Sequence, residues 1–262
     1  MAFAEINGIT VHYELIGEPN ARNLLVFSNS LGTDFRIWLP LFDELSDDVS
    51  VLLYDSRGHG LTGLGDGPFT MDDLVDDLIG IVDYLEIKKA TFVGLSVGGL
   101  IVQGLWKKRP ELVKKLVLSN TAPKIGTADT WNARIEAVEK GGLASIGESV
   151  MQRWFTPDFH EERPDELGGY RLMMERQPAQ GYISTCASIR DTDYSDGAAT
   201  ITVPVLCIGG DQDGATPPDL IRATAAAIPG AKLEIIEGCG HIPCVEQPEK
   251  LAALLQTFIK KG

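Results

Sequence analysis

A serine in the first half of the chain has neighbours typical of a catalytic nucleophile. Ser96 stands in the run Gly94-Leu95-Ser96-Val97-Gly98, where a short apolar segment at 91–95 meets a helical pattern that ends at Pro110. Such a corner holds a serine in a strained turn that exposes its hydroxyl, and glycines let the two backbones pass closely. Free N–H groups at the start of the helix can also face an oxyanion. A plain turn with packing glycines has the same residues, so the interpretation depends on a base and an acid elsewhere.

A serine hydroxyl needs a base to become nucleophilic, and the chain contains four histidines. His241 follows the run Glu237-Gly238-Cys239-Gly240, whose glycines let a loop fold back toward the serine corner. We therefore predict that His241 is the base. His59, in Ser56-Arg57-Gly58-His59-Gly60, is typical of a structural loop that contacts solvent or ligand. The remaining histidines are His12 and His160.

A carboxylate that orients the histidine is expected in a loop after a buried strand. The loop that follows the apolar run at 205–208 offers both Asp211 and Asp213. Asp213 lies further into the loop and is the predicted partner of His241, whereas Asp211 is typical of a cap or turn residue. Asn120, at the end of an earlier strand, lacks the charge for this role.

The elements that must position these residues alternate between strands and helices. An Asn7-Gly8 turn between the segments 3–6 and 9–16 predicts an N-terminal hairpin. Short apolar runs, typical of strands covered on both faces, occur at 24–27, 49–54, 91–95, 116–118, 205–208 and 233–236. Helical patterns lie between them at 35–45, 71–85, 96–109, 218–228 and 248–260. The alternation predicts an α/β protein with a doubly wound, mostly parallel eight-stranded sheet.

One interval interrupts this alternation. Residues 122–200 contain no convincing strand and are rich in long polar side chains. Helix-like stretches occur there at 130–140, 144–155, 164–176 and 180–190. We predict a helical lid at 122–200, inserted into a core domain formed by 1–121 and 201–262, because ligands in such folds bind at the carboxyl ends of the strands.

Composition excludes several classes of partner. The net charge of −14 opposes a nucleic-acid surface, and no cluster of lysines and arginines offsets it. The start of the sequence lacks the basic and apolar segments of a signal peptide, and no apolar window could span a membrane, which favours a cytoplasmic location. The four cysteines are predicted to be reduced thiols. Cys239 and Cys244 flank His241 but lack the further ligands of a metal site.

The order of the three candidate residues along the chain resembles that of the α/β-hydrolases. In that family the serine comes first, then the acid and then the histidine, which matches Ser96, Asp213 and His241. The resemblance covers nearly the whole chain and implies the α/β-hydrolase fold. It also implies an oxyanion hole formed by the backbone N–H groups of Leu31 and Val97. Many members have a His-Gly run where this chain has Ser-Asn-Ser-Leu-Gly-Thr, a departure that does not affect a backbone donor.

Further runs resemble one branch of the family, the 3-oxoadipate enol-lactonases. These runs are Ser28-Asn29-Ser30-Leu31-Gly32-Thr33-Asp34 with Trp38, Tyr54-Asp55-Ser56-Arg57-Gly58-His59-Gly60, Asn120-Thr121-Ala122 with Trp131, and Arg153-Trp154-Phe155-Thr156. The resemblance implies hydrolysis of 3-oxoadipate enol-lactone, without a metal or cofactor, in the breakdown of aromatic acids. A broad carboxylesterase or a carbon–carbon bond hydrolase would keep the same three residues and differ in lid and pocket. A non-catalytic binding protein is disfavoured because serine, acid and histidine are all present.

An anionic lactone would need a local cation in so acidic a protein. Trp131 and Arg134 are three residues apart at the start of the first lid helix and share one face. We predict that an indole N–H and a guanidinium there bind the substrate carboxylate together. Arg153 and Arg190 are the alternative cations, with Trp131 then packing in the lid and Arg134 exposed to solvent.

Overall fold

The computed structural model describes residues 1–260. Its N-terminal hairpin pairs Ile6 with Ile9, and both turn residues have positive φ, 49° at Asn7 and 76° at Gly8. Asparagine and glycine tolerate this left-handed conformation, which matches the twist of a two-residue hairpin. The predicted hairpin is therefore confirmed.

The predicted eight-stranded, mostly parallel sheet is also confirmed. Its strands in spatial order are β1 (Ala2–Ile6), β2 (Ile9–Ile16), β4 (Ser50–Tyr54), β3 (Leu24–Ser28), β5 (Ala90–Leu95), β6 (Val113–Ser119), β7 (Val205–Gly210) and β8 (Lys232–Ile236). The pairs β1–β2 and β2–β4 are antiparallel and the others are parallel. Every residue of β3, β4, β5 and β7 is buried, as expected for central strands with helices on both sides.

Helices flank this sheet along the core part of the chain. They are α1 (Leu39–Phe42), α2 (Met71–Tyr84), α3 (Val97–Lys108), α9 (Pro218–Ala227), α10 (Pro243–Glu246) and α11 (Pro248–Lys260). The predicted helix at 35–45 is shorter than expected: a single 3-10 turn at Phe35–Trp38, capped by Asp34, leads into four residues of α1. The pattern analysis did not predict α10, because its four residues are too few to show a helical period.

Five helices lie between β6 and β7 in the chain. They are α4 (Ala128–Gly141), α5 (Gly147–Trp154), α6 (Pro157–Glu162), α7 (Pro164–Glu175) and α8 (Ala179–Asp191). Four of them overlap the predicted helical stretches, and α6 was not predicted. The segment is bound to the core by long-range hydrogen bonds, such as the one from Gly60 N to Gln177 Oε1 at 2.7 Å. None of the helices within 1–260 is long and apolar enough to cross a membrane.

Candidate active site

Ser96 lies at the corner between β5 and α3 in a strained backbone conformation. Its φ and ψ are 57° and −116°, a region that residues with side chains rarely adopt. The corner is held by hydrogen bonds from Ser96 N to Ser119 O at 3.0 Å and from Thr121 Oγ1 to Ser96 O at 2.6 Å. A Cβ atom on Gly98 would overlap the Ser28 carbonyl, so only glycine permits this close approach of helix and strand.

His241 and Asp213 form a buried pair on two neighbouring loops. The imidazole Nδ1 lies 2.8 Å from Asp213 Oδ2, and both side chains are almost fully shielded from solvent. The backbone of His241 is fixed by α5, because His241 N donates to Trp154 O at 2.7 Å. An ionised aspartate at this position holds the Nδ1–H tautomer and leaves Nε2 free to accept a proton.

The Asp213 carboxylate accepts hydrogen bonds at both oxygens. Oδ1 accepts from Ala215 N at 2.7 Å and Thr216 N at 2.9 Å, and Oδ2 accepts from Thr216 Oγ1 at 2.6 Å. Burial alone would raise the pKa of Asp213, but His241 and these donors outweigh it and hold that pKa below its usual value. Asp211 is exposed and accepts from Cys239 N at 3.1 Å, as expected for a turn residue.

Asn120 has a part in this arrangement that the sequence analysis did not predict. Its Nδ2 donates to Asp213 Oδ2 at 2.9 Å and to Gly240 O at 3.1 Å, so one amide ties the acid loop to the histidine loop. Ser119 Oγ donates to Asn120 Oδ1 at 2.8 Å and fixes the orientation of the amide. Asn120 is fully buried with φ of 49°. The only indication of this role in the sequence was the residue type, because an asparagine at the end of a strand can adopt the left-handed backbone conformation found here.

The predicted oxyanion donors, Leu31 and Val97, have free backbone amides. Neither N–H donates to a protein acceptor among residues 1–260, and Val97 is the first residue of α3, where amides point out of the helix. The Leu31 turn is held by Thr33, whose N and Oγ1 both donate to Ser30 O. Asn29 supports it from behind, since its Nδ2 donates to Tyr54 O at 2.8 Å.

Ser96 and His241 open into the same cavity, which has a volume of about 150 Å³. The core contributes residues from the serine corner, the Leu31 turn and the acid loop, and α4, α5 and α8 cover them. The lining residues are Ser30, Leu31, Ser96, Ile125, Gly126, Thr130, Trp131, Arg134, Arg153, Trp154, Tyr182, Ala215, Thr216 and His241. No carboxylate is in this set. The size suits a small metabolite, because pockets for drug-sized ligands start at about 300 Å³.

The predicted carboxylate anchor is corrected in part. Trp131 and Arg134 both line the cavity, but the indole N–H of Trp131 donates to Ile125 O at 2.7 Å and is not available to a ligand. The indole instead supports Arg134, whose guanidinium carbon lies 5.3 Å from the ring centroid. The alternative cation Arg190 is paired with Asp191 and lies outside the cavity, whereas Arg153 lines it.

The remaining histidines and the cysteines have structural surroundings. His12 Nδ1 lies 2.7 Å from Asp55 Oδ2, and His160 Nε2 lies 3.2 Å from Met151 O. His59 is buried with Nδ1 on the Arg57 carbonyl, and burial lowers its pKa to about 4; this agrees with a structural loop and not with the alternative of solvent contact. The cysteines are buried free thiols, and within 1–260 no three His, Cys, Asp or Glu side chains form a group able to hold a metal ion.

Comparison with known proteins gives consistent matches over the whole chain. Residues 25–254 match the model of the Alpha/beta hydrolase family. The chain is 35% identical over 253 residues to 3-oxoadipate enol-lactonase 2 of Acinetobacter baylyi, which covers 97% of this chain and 94% of that relative. The crystal structure of the enol-lactonase from Burkholderia xenovorans LB400 has a TM-score of 0.95 at 35% identity, covering 99% of this chain and 100% of that one. A thermophilic esterase from Thermogutta terrifontis, solved with malate bound, has a TM-score of 0.91 at 25% identity, and the match covers 100% of this chain and 99% of the esterase.

Proposed function

This chain belongs to the alpha/beta hydrolase family, and on that premise we propose that it hydrolyses 3-oxoadipate enol-lactone to 3-oxoadipate through Ser96, His241 and Asp213. The observation that carries the proposal is the bond of 2.8 Å between His241 Nδ1 and Asp213 Oδ2, because His241 lines the same cavity as Ser96. The enol-lactonases at 35% identity support the choice of substrate.

In the first half of the reaction, His241 removes the Ser96 proton as the hydroxyl oxygen attacks the lactone carbonyl. The negative charge of the tetrahedral intermediate develops on the former carbonyl oxygen, where the amides of Leu31 and Val97 donate hydrogen bonds. Because neither amide has an acceptor among residues 1–260, neither has to break a hydrogen bond to do so. Asp213 stabilises the imidazolium that forms.

In the second half, the ring C–O bond breaks and leaves an acyl group on Ser96. The protonated His241 donates to the leaving enolate oxygen, and the resulting enol becomes a ketone, which disfavours closure of the ring. A water molecule, deprotonated by His241, then attacks the acyl carbonyl through the same oxyanion hole. The second tetrahedral intermediate then breaks its bond to Ser96 Oγ, which takes the proton back from His241, and a dicarboxylate is released.

The cavity's charge supports an anionic substrate rather than a simple ester. Arg134 and Arg153 line it, no carboxylate does, and the net charge of the whole chain is −14. A local cation pair is what an anion would need to approach such a protein. A broad carboxylesterase would use the same three residues but has no need of these two charges. A carbon–carbon bond hydrolase would likewise use the same three residues and would differ in its lid.

We propose further that 122–200 acts as a lid on the core domain 1–121 and 201–262. Its helices α4, α5 and α8 contribute Arg134, Arg153 and Tyr182 to the cavity, whereas the three reacting groups come from the core. Lids of this kind exclude water and select the substrate. The cytoplasmic location remains a prediction from the N-terminal sequence.

Covalent labelling tests the proposed nucleophile. A fluorophosphonate reacts with an activated serine and resembles the tetrahedral intermediate, so it should attach once per chain at Ser96, as read by peptide mass spectrometry. Ser30 lines the same cavity and serves as the matched control. Labelling should disappear in Ser96→Ala and persist in Ser30→Ala. Labelling of Ser96→Ala at an undiminished rate would reject the mechanism.

A further inference from the structure

The active-site cavity contains two arginines that have no acidic partner. Among residues 1–260, six other arginines pair with Asp or Glu, namely Arg36, Arg57, Arg109, Arg163, Arg171 and Arg190. Arg134 instead contacts Tyr182 Oη at 3.5 Å and the Trp131 ring, and Arg153 donates from Nε to Gly214 O at 3.2 Å. Each guanidinium carries five N–H donors, so most donors of both side chains are left for a ligand.

The two arginines reach the cavity from different helices and have different neighbours. Arg134 comes from α4 and lies with Trp131 and Tyr182. Arg153 comes from α5 and contacts Gly214, the residue after Asp213. The next residue of α5, Trp154, accepts the hydrogen bond of His241 N. Arg153 is therefore next to the acid and histidine loops, whereas Arg134 packs against Trp131 and Tyr182.

Two like charges in so small a cavity repel each other. Burial and the nearby Arg134 both lower the pKa of Arg153, and Tyr182 and Asp213 offset this only in part. The chain has 37 acidic residues against 23 lysines and arginines, so acidic partners are abundant, yet none lines this cavity. Carboxylates of a ligand would supply the missing partners, and a planar guanidinium binds a carboxylate through two parallel hydrogen bonds.

We propose that the cavity binds small dicarboxylates, with one carboxylate at Arg134 and the other at Arg153. The proposal rests on the proposed function for the identity of the product, but dicarboxylate binding itself requires no turnover. Hydrolysis of a lactone with one carboxylate generates a second carboxylate at the carbonyl carbon that Ser96 attacked. That carbon lies beside His241, on the side of Arg153. The product is thus bound by both arginines, whereas the substrate is bound by one. Dicarboxylates therefore inhibit the enzyme.

Adipate and hexanoate are matched probes, because both have six carbons and differ in one carboxylate. Binding is measured by isothermal titration calorimetry with the wild type and with Ser96→Ala, and inhibition is measured on a neutral aryl ester. Adipate should bind at least about tenfold more tightly than hexanoate. This factor corresponds to the lower end of the range for a hydrogen bond to a charged group, because Arg153 is partly exposed. Arg153→Met should reduce adipate binding to that of hexanoate and leave hexanoate unchanged, and Arg134→Met should weaken both.

Arg176 provides the matched control, since it is exposed, forms no ion pair within 1–260 and lies outside this cavity. Arg176→Met should leave both affinities unchanged. Arg153→Lys keeps the charge without the planar fork and should retain an intermediate preference for adipate, which separates a charge effect from a folding defect. Equal binding of the two probes to the wild type, or an adipate preference that survives Arg153→Met or is lost in Arg176→Met, would overturn the inference. If enol-lactone is not hydrolysed but adipate is preferred through Arg153, the proposed function fails and this inference stands.

Discussion

Replacing Asn120 tests whether its amide keeps the candidate acid charged. Asn120→Gly removes the donor that lies 2.9 Å from Asp213 Oδ2. Glycine is the suitable substitution because φ at this position is 49°, where an alanine would add strain of its own. The change therefore isolates the loss of the side-chain hydrogen bonds.

The magnitude follows from the charge on Asp213. A hydrogen bond to a charged group contributes about 1.5–3 kcal/mol. We expect the free energy of unfolding of Asn120→Gly at pH 7 to be lower than that of the wild type by this amount. One pKa unit corresponds to about 1.4 kcal/mol, so the pKa of Asp213 should rise by about 1–2 units. In the wild type, folding lowers the pKa of Asp213. The ionised carboxylate therefore stabilises the fold above the pKa of an unfolded aspartate, about 3.9, and this stabilisation is lost as the pH falls through the pKa in the folded state. The difference between wild type and variant should therefore shrink on acidification below about pH 5.

Urea unfolding followed by circular dichroism, between neutral and acidic pH, measures this difference. Asn7→Gly is the matched control, because Asn7 also has φ of 49° and also donates to an aspartate, Asp77, at 3.1 Å, but lies in the edge hairpin. For Asn120→Gly we expect kcat/KM to fall by up to about 150-fold, the catalytic equivalent of the upper free-energy value, with no change for Asn7→Gly. A stability loss that does not depend on pH, or equal activities of the two variants, would refute the assignment of Asn120 to Asp213.

Four other substitutions test the remaining roles. Ser96→Ala should fold normally and lose about 10⁴-fold or more of turnover, because only binding and oxyanion contacts remain; near-normal rates in a steady-state assay would eliminate Ser96 as nucleophile. Asp213→Asn should reduce kcat far more than Asp211→Asn, since only Asp213 contacts His241, and the opposite ranking would move the acid. Arg134→Met should raise KM for the anionic lactone by the equivalent of about 1.5–3 kcal/mol and leave neutral esters nearly unchanged, whereas equal losses on both would indicate disturbed lid packing.

The sheet was predictable because local patterns agree with the tertiary structure there. The central strands are buried on both faces, so they read as continuous apolar runs, and the Asn7-Gly8 turn specifies the first hairpin through its own backbone geometry. The position of Ser96 at a strand-to-helix corner was also predictable, since an apolar run meets a helical pattern there.

The features that were missed depend on side-chain and backbone contacts that no local sequence pattern reports. Whether the Trp131 indole is free depends on Ile125 O, six residues earlier, which no spacing rule indicates. The bond from His241 N to Trp154 O links the segment 122–200 to the histidine loop, so removal of this segment should affect catalysis as well as selectivity. A helical period does not report which side-chain donors and backbone acceptors will meet after folding.

Ring opening of authentic 3-oxoadipate enol-lactone, measured beside a panel of neutral lactones and aryl esters, tests the central claim most directly. Wild type, Ser96→Ala and Arg134→Met are compared at equal concentration, with loss of the lactone followed by absorbance and the product identified by mass spectrometry. We expect kcat/KM of the wild type to be highest for the enol-lactone, the activity to be abolished in Ser96→Ala, and the preference for the anion to be lost in Arg134→Met. Faster turnover of neutral esters than of the enol-lactone by the wild type would contradict the proposed function.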